Sequence, residues 1–390
     1  MTNSPGEAHY NAPMLPPPPP PHPSARVIIG LSGGVDSAVA ALLLKQSGWD
    51  VQGLFLSNWE EEDDDAYCTA ARDFQDARAV AGELGIVLHR VSFAAEYRER
   101  VFAHFLREHR AGRTPNPDVL CNREIKFGVA LGWARRLGAS HFATGHYARL
   151  ERTAVGTELH QARDRDKDQT YFLHAIDGAV LERVLMPLGE LRKNEVRELA
   201  RRAGLPVFDK PDSTGICFIG ERPFREFLAR YVAKTPGPIE SADGEPLGMH
   251  EGLAFYTLGQ REGLHIGGRC GRAQAPWYVA AKDAARNTLI VVQGHDHPLL
   301  ESRELSTGRW HWLATARREP FRCTVKVRYR QSDQAARLEP RPDGTMHVVF
   351  DEPQRAVTPG QYAVAYDGER CLGGAVIESL ARRERLSAAA

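Results

Sequence analysis

The sequence has few of the features that mark secreted or membrane-spanning proteins. It contains six cysteines in 390 residues, with no CxxC pair and no dense cysteine framework. Scattered thiols of this kind argue against a disulfide-stapled secreted fold and favour a reducing compartment. The longest apolar stretch, Ala38 to Leu44, is shorter than the roughly 18–20 residues that a membrane span needs. These absences predict a cytoplasmic protein that makes no use of a membrane.

A net charge is also absent, because 50 basic residues balance 50 acidic ones. Composition therefore gives no reason to expect nucleic-acid binding, and any RNA contact must come from local basic clusters. One such cluster alternates with apolar residues and comprises Lys326, Arg328 and Arg330. On a strand these three cations would share one face. A strand face that is merely solvated explains the same pattern, so the sequence leaves both interpretations open.

The chain begins with a segment that cannot build a core. Proline occupies every position from 16 to 21 and again position 23. Such a tract favours extended, solvated polyproline II. We predict that residues 1–25 form a disordered extension.

Apolar strands alternate with amphipathic helices from residue 26 to about residue 144. We predict strands at 26–31, 50–57, 86–93 and 141–144, and helices at 37–46, 66–84, near 97–105 and at 123–137. This alternation predicts an α/β domain with a parallel sheet and helices on both faces. Ligands of such sheets bind beyond the carboxyl ends of the strands.

The pattern changes after about residue 222, where helical periodicity fades and glycine and proline become frequent. A hairpin is predicted from 277–282 to 288–293, with further alternating strands at 323–330, 346–350 and 361–366. We therefore predict three domains: 26–221, a small central domain at 222–299 and a β-rich C-terminal domain at 300–384.

The turn between the first strand and the first helix has the composition of a phosphate-binding loop. It consists of Gly30, Leu31, Ser32, Gly33, Gly34, Val35, Asp36 and Ser37. Glycines let the backbone approach a phosphate, and the N–H groups at the helix start favour an anion. Asp36 makes sense if Mg²⁺ accompanies the phosphates, and we assign no other protein ligand to a metal. The turn lacks the Walker lysine and resembles the PP-loop of ATP pyrophosphatases, which cleave ATP between its α- and β-phosphates.

A cysteine follows the proline-stiffened stretch TPNPDVL at 114–120. We predict that Asn122 caps the next helix, so that Cys121 lies just before its N-terminus. The helix dipole, together with Arg123 and Lys126, would then favour the reactive thiolate. Asp118, three residues before the thiol, could accept a proton or orient a substrate.

A second candidate thiol is Cys217, between Gly215 and Gly220. Glycines on both sides would allow the segment to move. Because about 96 residues separate Cys217 from Cys121, their meeting in space is an inference. Two alternatives remain: a pair of buried structural thiols, or an iron–sulfur cluster held by both thiols and Asp118, although such clusters usually use four thiolates.

Six strings occur in a fixed order: SGGVDS, TPNPDVLCNREIKF, ATGHY, KDQTYF, STGICFIGER and TLGQR, starting at 32, 114, 143, 167, 213 and 257. This ordered set resembles the tRNA-specific 2-thiouridylase family, of the MnmA type, from about residue 26 to 380. The resemblance implies an ATP- and Mg²⁺-dependent sulfurtransferase that adenylates the C2 oxygen of the wobble uridine in tRNA. Sulfur then replaces this oxygen to give 2-thiouridine. It also implies a PP-loop catalytic domain, a central domain and a C-terminal β-barrel that binds tRNA.

The resemblance implies roles for individual residues. Cys217 would receive sulfur as a persulfide, and Cys121 would act with it as a nucleophile, ending in a Cys121–Cys217 disulfide or a released sulfide. Asn116, Pro117 and Asp118 would meet the target base. The ATP site would comprise Gly30 to Ser37, Gly145 and Leu56, where the family often has methionine. Further positions would contact tRNA: His146, Lys167, Asp168, Gln169, Arg328, Tyr329 and Gln361.

The resemblance also implies partners. The tRNA would be of the Lys, Glu or Gln type, and the sulfur donor a cysteine desulfurase or a relay protein. Two other functions stay open from the residues alone. One is a different ATP pyrophosphatase that adenylates a small molecule or delivers nitrogen, although we see no glutaminase domain. The other is a nucleotide-gated tRNA-binding protein, which would not need its thiols.

Overall fold

A computed structural model describes residues 17–22, 25–59, 69–212, 223–266 and 275–380 of the protein. Cys217 and most of the predicted extension at 1–25 lie outside the described residues. No helix within those ranges combines the length and apolar character that crossing a bilayer would require.

The part of the chain up to residue 212 alternates strands and helices. Its strands are β1 (Arg26–Gly30), β2 (Asp50–Ser57), β3 (Val87–Ser92), β4 (His141–Ala143), β5 (Arg149–Thr153), β6 (Gly156–His160) and β7 (Val184–Leu185). Its α-helices are α1 (Val35–Gln46), α2 (Thr69–Leu84), α3 (Ala94–Tyr97), α4 (Ala103–Arg110), α5 (Pro117–Leu120), α6 (Leu131–Arg136), α7 (Thr170–Leu173), α8 (Gly178–Leu181) and α9 (Lys193–Arg202). Two π-helical segments, Arg98–Phe102 and Cys121–Ala130, join α3 to α4 and α5 to α6.

A five-stranded parallel sheet in the order β3-β2-β1-β4-β7 organises this domain. Its central strand β1 is buried on both faces. Ile28 packs into one core, whereas Val27 and Ile29 pack into a second core on the opposite face. Successive side chains of a strand point to opposite faces, so an unbroken apolar strand belongs between two helical layers. The predicted α/β architecture is confirmed.

The helix that carries Cys121 begins earlier than predicted. Its N-cap is Asn116, whose side chain accepts a hydrogen bond from the Asp118 backbone N–H at 3.2 Å. Pro117 occupies the first helical position, where no backbone donor is needed. Cys121 therefore lies within the second turn, and the prediction that Asn122 caps this helix is wrong. Because the dipole effect falls off within the first turn, it favours a Cys121 thiolate less than we predicted.

The central domain forms its own four-stranded sheet, in the order β10-β11-β8-β9. Its elements are α10 (Phe224–Ala229), β8 (Gly237–Ser241), β9 (Pro246–His250), a 3₁₀ turn (Leu253–Phe255), β10 (Trp277–Asp283) and β11 (Thr288–Gln293). The antiparallel pairing of β10 with β11 confirms the hairpin predicted there.

The C-terminal domain is a closed barrel. After a 3₁₀ turn (Pro298–Leu300) it contains β12 (Glu301–Thr307), β13 (His311–Trp312), β14 (Phe321–Lys326), β15 (Gln334–Pro340), β16 (Met346–Arg355), β17 (Tyr362–Asp367) and β18 (Arg370–Leu380). Six strands follow one another antiparallel in the order β12-β16-β15-β14-β17-β18, and β12 also pairs with β18. The β-barrel implied by the resemblance is confirmed.

The three cations predicted on one strand face do not share one. Strand β14 ends at Lys326, and the chain turns through Arg328 to Arg330, whose φ is 63°. Lys326 is only 8% exposed, and its Nζ lies 3.6 Å from the carboxylate of Asp168. The alternation of basic and apolar residues in the sequence gives no sign of this turn. The prediction of a basic strand face is therefore wrong.

The first domain and the barrel share a buried seam. The Tyr171 hydroxyl donates to the Tyr362 carbonyl oxygen at 3.0 Å, and the Thr170 and Tyr366 hydroxyl oxygens lie 3.1 Å apart. A fully buried His174 packs its ring against Tyr362, with 5.0 Å between ring centroids. We call this surface the seam; it comprises Asp168, Thr170, Tyr171 and His174 on one side and Lys326, Tyr362 and Tyr366 on the other.

Acid should weaken the seam through His174. Burial lowers the pKa of its imidazole to about 3, against the ordinary 6.5. Because the unfolded chain binds the proton more readily, stability is full above pH 6.5 and falls as the pH drops towards 3. At pH 5 the shifted pKa of His174 alone should lower the free energy of unfolding by about 2 kcal/mol. Urea unfolding of wild type and His174→Asn at pH 7 and pH 5 measures it: the variant should lose less stability on acidification, and equal losses would contradict the assignment.

Candidate functional site

The glycine-rich loop joins β1 to α1 at the carboxyl edge of the parallel sheet. The Ser37 hydroxyl donates to the Gly34 carbonyl oxygen at 3.1 Å, and the Ser32 backbone N–H donates to the Ser37 hydroxyl at 3.2 Å. Gly33 has a φ of +77°, and a β-carbon there would lie 2.2 Å from the carbonyl oxygen of Asp73. The loop therefore has a fixed shape that requires glycine at this position.

Two predicted ATP-site residues lie against this loop. A β-carbon on Gly145 would lie 2.7 Å from the Ser37 nitrogen and 3.0 Å from the Asp36 carbonyl oxygen. A β-carbon on Gly30 would lie 3.7 Å from a methyl group of Leu56. The structure thus brings Gly145 and Leu56 to the loop, as the resemblance implied, and Gly145 lets the segment after β4 pack on the first turn of α1.

The acidic residue of the loop is held by two groups that sequence reasoning missed. The Lys193 ammonium lies 2.7 and 2.8 Å from the two carboxylate oxygens of Asp36, and the Tyr147 hydroxyl donates to one of them at 2.8 Å. Burial and the neighbouring carboxylate both raise the pKa of Tyr147, so this hydroxyl remains a donor. Lys193 is the first residue of α9, and its neighbours in the sequence give no signal for the contact with Asp36.

Lys193 also reaches Asp212, the last residue described before the segment that carries Cys217. Its Nζ lies 2.7 Å from the Asp212 carboxylate, which Lys167 and Arg197 approach to 2.6 and 2.9 Å. Partial burial would raise the pKa of Asp212, but hydrogen bonds from the lysines outweigh this and lower it to about 2.

Cys121 is 1% exposed and lies on the helix that runs from 117 to 136. Asp118 precedes it by three residues, a spacing that puts both side chains on the same helical face. Asn122, which does not cap the helix, donates its side-chain amide to the Phe172 carbonyl oxygen at 3.4 Å. Asp118 and Cys121 therefore share a face of the helix that begins after Asn116, and a common site for them stays a prediction.

Several residues predicted to contact tRNA make internal contacts. The His146 ring is buried, with Nδ1 2.8 Å from the Thr144 hydroxyl, and burial keeps its pKa well below the ordinary value. The Asp168 carboxylate accepts from the Ala162 N–H at 3.0 Å, and burial raises its pKa. The Gln169 side chain accepts from a backbone N–H at 2.9 Å. A role at tRNA stays a prediction for these residues.

The barrel residues predicted to contact tRNA also make contacts within the protein. Arg328 donates to the Ala356 carbonyl oxygen at 2.6 Å and the Leu258 carbonyl oxygen at 3.2 Å. Tyr329 packs on Phe172, with 4.4 Å between ring centroids. Gln361 donates its side-chain amide to a backbone carbonyl of the first domain. These contacts join the domains, so their predicted role at tRNA also stays untested.

Comparison with known proteins assigns all three domains to known families. The model described as tRNA methyl transferase HUP domain matches residues 25–221, the PRC-barrel domain of the same name matches 225–293, and the aminomethyltransferase beta-barrel domain matches 302–377. The tRNA-specific 2-thiouridylase MnmA of Thiobacillus denitrificans is 56% identical over 356 residues, which cover 91% of this chain and 99% of that protein. That of Verminephrobacter eiseniae is 57% identical over 364 residues, covering 91% and 98%. The chain belongs to the tRNA-specific 2-thiouridylase family.

Membership of the 2-thiouridylase family confirms the resemblance found in the six sequence strings. The family models carry methyl transferase names, but the full-length relatives are named thiouridylases, and their identity over nine-tenths of the chain decides the matter. A solved 4-thiouridine synthetase–RNA complex with bound ATP is far more distant, at 20% identity and a TM-score of 0.32 over 53% of this chain and 50% of that one.

Proposed function

We propose that this 2-thiouridylase adenylates the C2 oxygen of a wobble uridine in tRNA and replaces it with sulfur delivered through Cys217 and Cys121. The observation that carries this proposal is that Gly145 and His146 lie between two elements. Gly145 packs on the glycine-shaped phosphate loop, and the His146 ring lies 3.5 Å from the Lys126 ammonium on the helix whose one face carries Asp118 and Cys121. The loop suits ATP, and the helix face suits a thiol that acts on a base held beside Asn116.

The phosphate loop supports ATP as the activating substrate. A β-carbon on Gly34 would have only the Ser32 hydroxyl within 4 Å, at 3.5 Å, so space remains beside Gly34 at the start of α1, where backbone N–H groups favour an anion. Asp36 is the acidic side chain that would hold Mg²⁺, and the ion would supply charge to stabilise departing pyrophosphate. An ion on Asp36 must compete with the Lys193 ammonium, which would keep its contact with Asp212.

Adenylation turns the uridine C2 oxygen into a leaving group, AMP. The terminal sulfur of a Cys217 persulfide would attack C2 and displace AMP. The Cys121 thiolate would then attack the inner sulfur, leaving a thiocarbonyl on the base and a Cys121–Cys217 disulfide that an external thiol must reduce. Alternatively, Cys121 would first release the terminal sulfur as sulfide, which attacks C2 itself. In both routes Asp118 would accept or hold a proton.

The partners belong to the same proposal. The substrates would be tRNAs of the Lys, Glu and Gln type, and the sulfur would come from a cysteine desulfurase or a relay protein in the cytoplasm. An iron–sulfur cluster on Cys121, Cys217 and Asp118 would be an alternative sulfur-handling group. Enzyme that keeps its activity after complete removal of iron would exclude the cluster.

The deciding assay supplies unmodified tRNA, ATP, Mg²⁺ and a persulfide donor to wild type and Cys217→Ser. We expect 2-thiouridine, AMP and pyrophosphate from wild type, and no 2-thiouridine from the variant, because serine cannot carry a persulfide. Mass spectrometry of digested tRNA measures the product. Equal thiolation by both proteins would remove Cys217 from the mechanism, and ATP cleavage without thiolation by wild type would point to another acceptor.

A further inference from the structure

The TLGQR string at 257–261 forms a turn of the central domain that presses on the barrel. The Gly259 N–H donates to the Val279 carbonyl oxygen at 2.7 Å, and the Val279 N–H donates to the Gln260 carbonyl oxygen at 3.0 Å, which ties the turn to β10. Gly259 has a φ of +77°, and a β-carbon there would lie 2.5 Å from the Ala356 side chain. The turn is therefore a rigid element whose position depends on close packing.

This turn contacts the loop that leads into the Cys121 helix. The Thr257 and Thr114 hydroxyl oxygens lie 3.2 Å apart. From the adjoining strand β10, the Lys282 ammonium donates to the Gly112 carbonyl oxygen at 2.8 Å. The central domain thus touches both ends of the segment from Gly112 to Thr114.

The barrel holds the same residue from its other side. Gln361 donates its side-chain amide to the Thr114 carbonyl oxygen at 2.8 Å, and the Thr114 N–H donates to the Pro359 carbonyl oxygen at 3.0 Å. A β-carbon on Gly360 would lie 2.9 Å from the Thr114 backbone, so the two chains are in direct contact. Both backbone polar groups of Thr114 are therefore bonded to the barrel, while its hydroxyl faces the central domain.

The chain between Thr114 and the candidate site has little conformational freedom. The chain continues through Pro115 to Asn116, which caps the helix, and then through Pro117 into its first turn. Each proline fixes its own φ and restricts the residue before it. A displacement of Thr114 must therefore be passed on to Asn116, Asp118 and the start of the helix that carries Cys121.

We propose that Thr257 and Gln361 are positioning residues that clamp Thr114 between the central domain and the barrel and so set the geometry of Asn116, Asp118 and Cys121. The inference rests on the proposed function for its catalytic consequence, but the clamp itself is a physical coupling. It gives the TLGQR turn a role, and it makes Gln361 a support of the loop that carries Asn116 and Asp118.

The test uses two isosteric or near-isosteric variants, Thr257→Val and Gln361→Met, and the double variant. Matched controls lose side-chain hydrogen bonds elsewhere in the same domains. In Thr288→Val the lost hydroxyl donates to the Arg286 carbonyl oxygen, and in Gln354→Met the lost amide accepts from Gln331 and donates to Gln334 and to the Glu352 carbonyl oxygen. Single-turnover thiolation at saturating tRNA should fall about tenfold in each clamp variant, because small misplacements at a reacting centre are costly. The Kd for tRNA should stay within about twofold of wild type, and both controls should keep the wild-type rate.

Hydrogen–deuterium exchange supplies a readout that does not depend on activity. Amides at 114–121 should exchange faster in the clamp variants than in wild type or the controls. Unchanged exchange would overturn the clamp, and faster exchange with an unchanged rate would overturn its catalytic role. A weaker tRNA Kd with a normal saturated rate would instead make Gln361 an RNA contact. If wild type forms no 2-thiouridine, the proposed function fails, while the exchange data still decide whether the clamp exists.

Discussion

Cys121→Ser should reduce the formation of 2-thiouridine at least about 1000-fold while leaving ATP binding intact. A serine hydroxyl is a far weaker nucleophile than a thiol and cannot form a disulfide with Cys217, so neither proposed route to the thiocarbonyl can finish. Loss of thiolation is measured by mass spectrometry of digested tRNA, and ATP binding by isothermal titration. ATP affinity should not change, because the phosphate loop lies on β1 and α1 rather than on the Cys121 helix.

The matched control is Cys371→Ser. Both thiols are 1% exposed, so placing a hydroxyl at either position imposes a similar burial cost. Burial raises the pKa of the Cys371 thiol to about 12, which makes it inert at neutral pH. The control should therefore keep its activity per folded molecule. Thiolation by Cys121→Ser at the level of this control would show that Cys121 is a structural cysteine.

Gly33→Ala should lower ATP affinity at least about 100-fold and destabilise the fold by about 2–4 kcal/mol. The β-carbon would lie 2.2 Å from the carbonyl oxygen of Asp73, and a backbone atom cannot rotate away. The loop must move to relieve this clash, and its N–H groups then no longer converge on a phosphate. Isothermal titration with ATP and urea unfolding measure the two effects.

Gly48→Ala separates conformational strain from the clash. Gly48 ends α1 with a φ of +88°, and a β-carbon there would meet nothing within 4 Å. This substitution should lower the free energy of unfolding by about 1 kcal/mol and leave ATP affinity unchanged, because it penalises only the left-handed backbone conformation. Similar losses in both variants would mean that the contact with Asp73 is unimportant for the loop.

Local patterns predicted the elements of the fold well. The unbroken apolar run before Gly30 predicted a strand buried on both faces, and the alternation on either side of 283–287 predicted the hairpin of β10 and β11. These signals depend on neighbours in the sequence, which is why a single chain reveals them. The start of the Cys121 helix was also present in the sequence, since Asn116 followed by Pro117 is a typical N-cap and first residue. The prediction nevertheless placed the N-cap at Asn122 instead of Asn116.

Contacts between distant segments could not be predicted in this way. Nothing beside Lys193 in the sequence indicates that its ammonium bridges Asp36 and Asp212. The alternation around Arg328 likewise resembles an exposed strand, although this side chain binds carbonyl oxygens of two other segments. Such partners are brought together by the packing of the domains, so only the folded chain shows them.

The buried seam between the first domain and the barrel limits how this enzyme could have evolved. A protein cut after residue 299 would expose Tyr171 and His174 to water and leave Asp168 without Lys326. The barrel is therefore not a detachable module that could be lost or exchanged by gene fusion in one step. Any recombined barrel would have to bring matching partners for these three side chains, so the domains are expected to be inherited together.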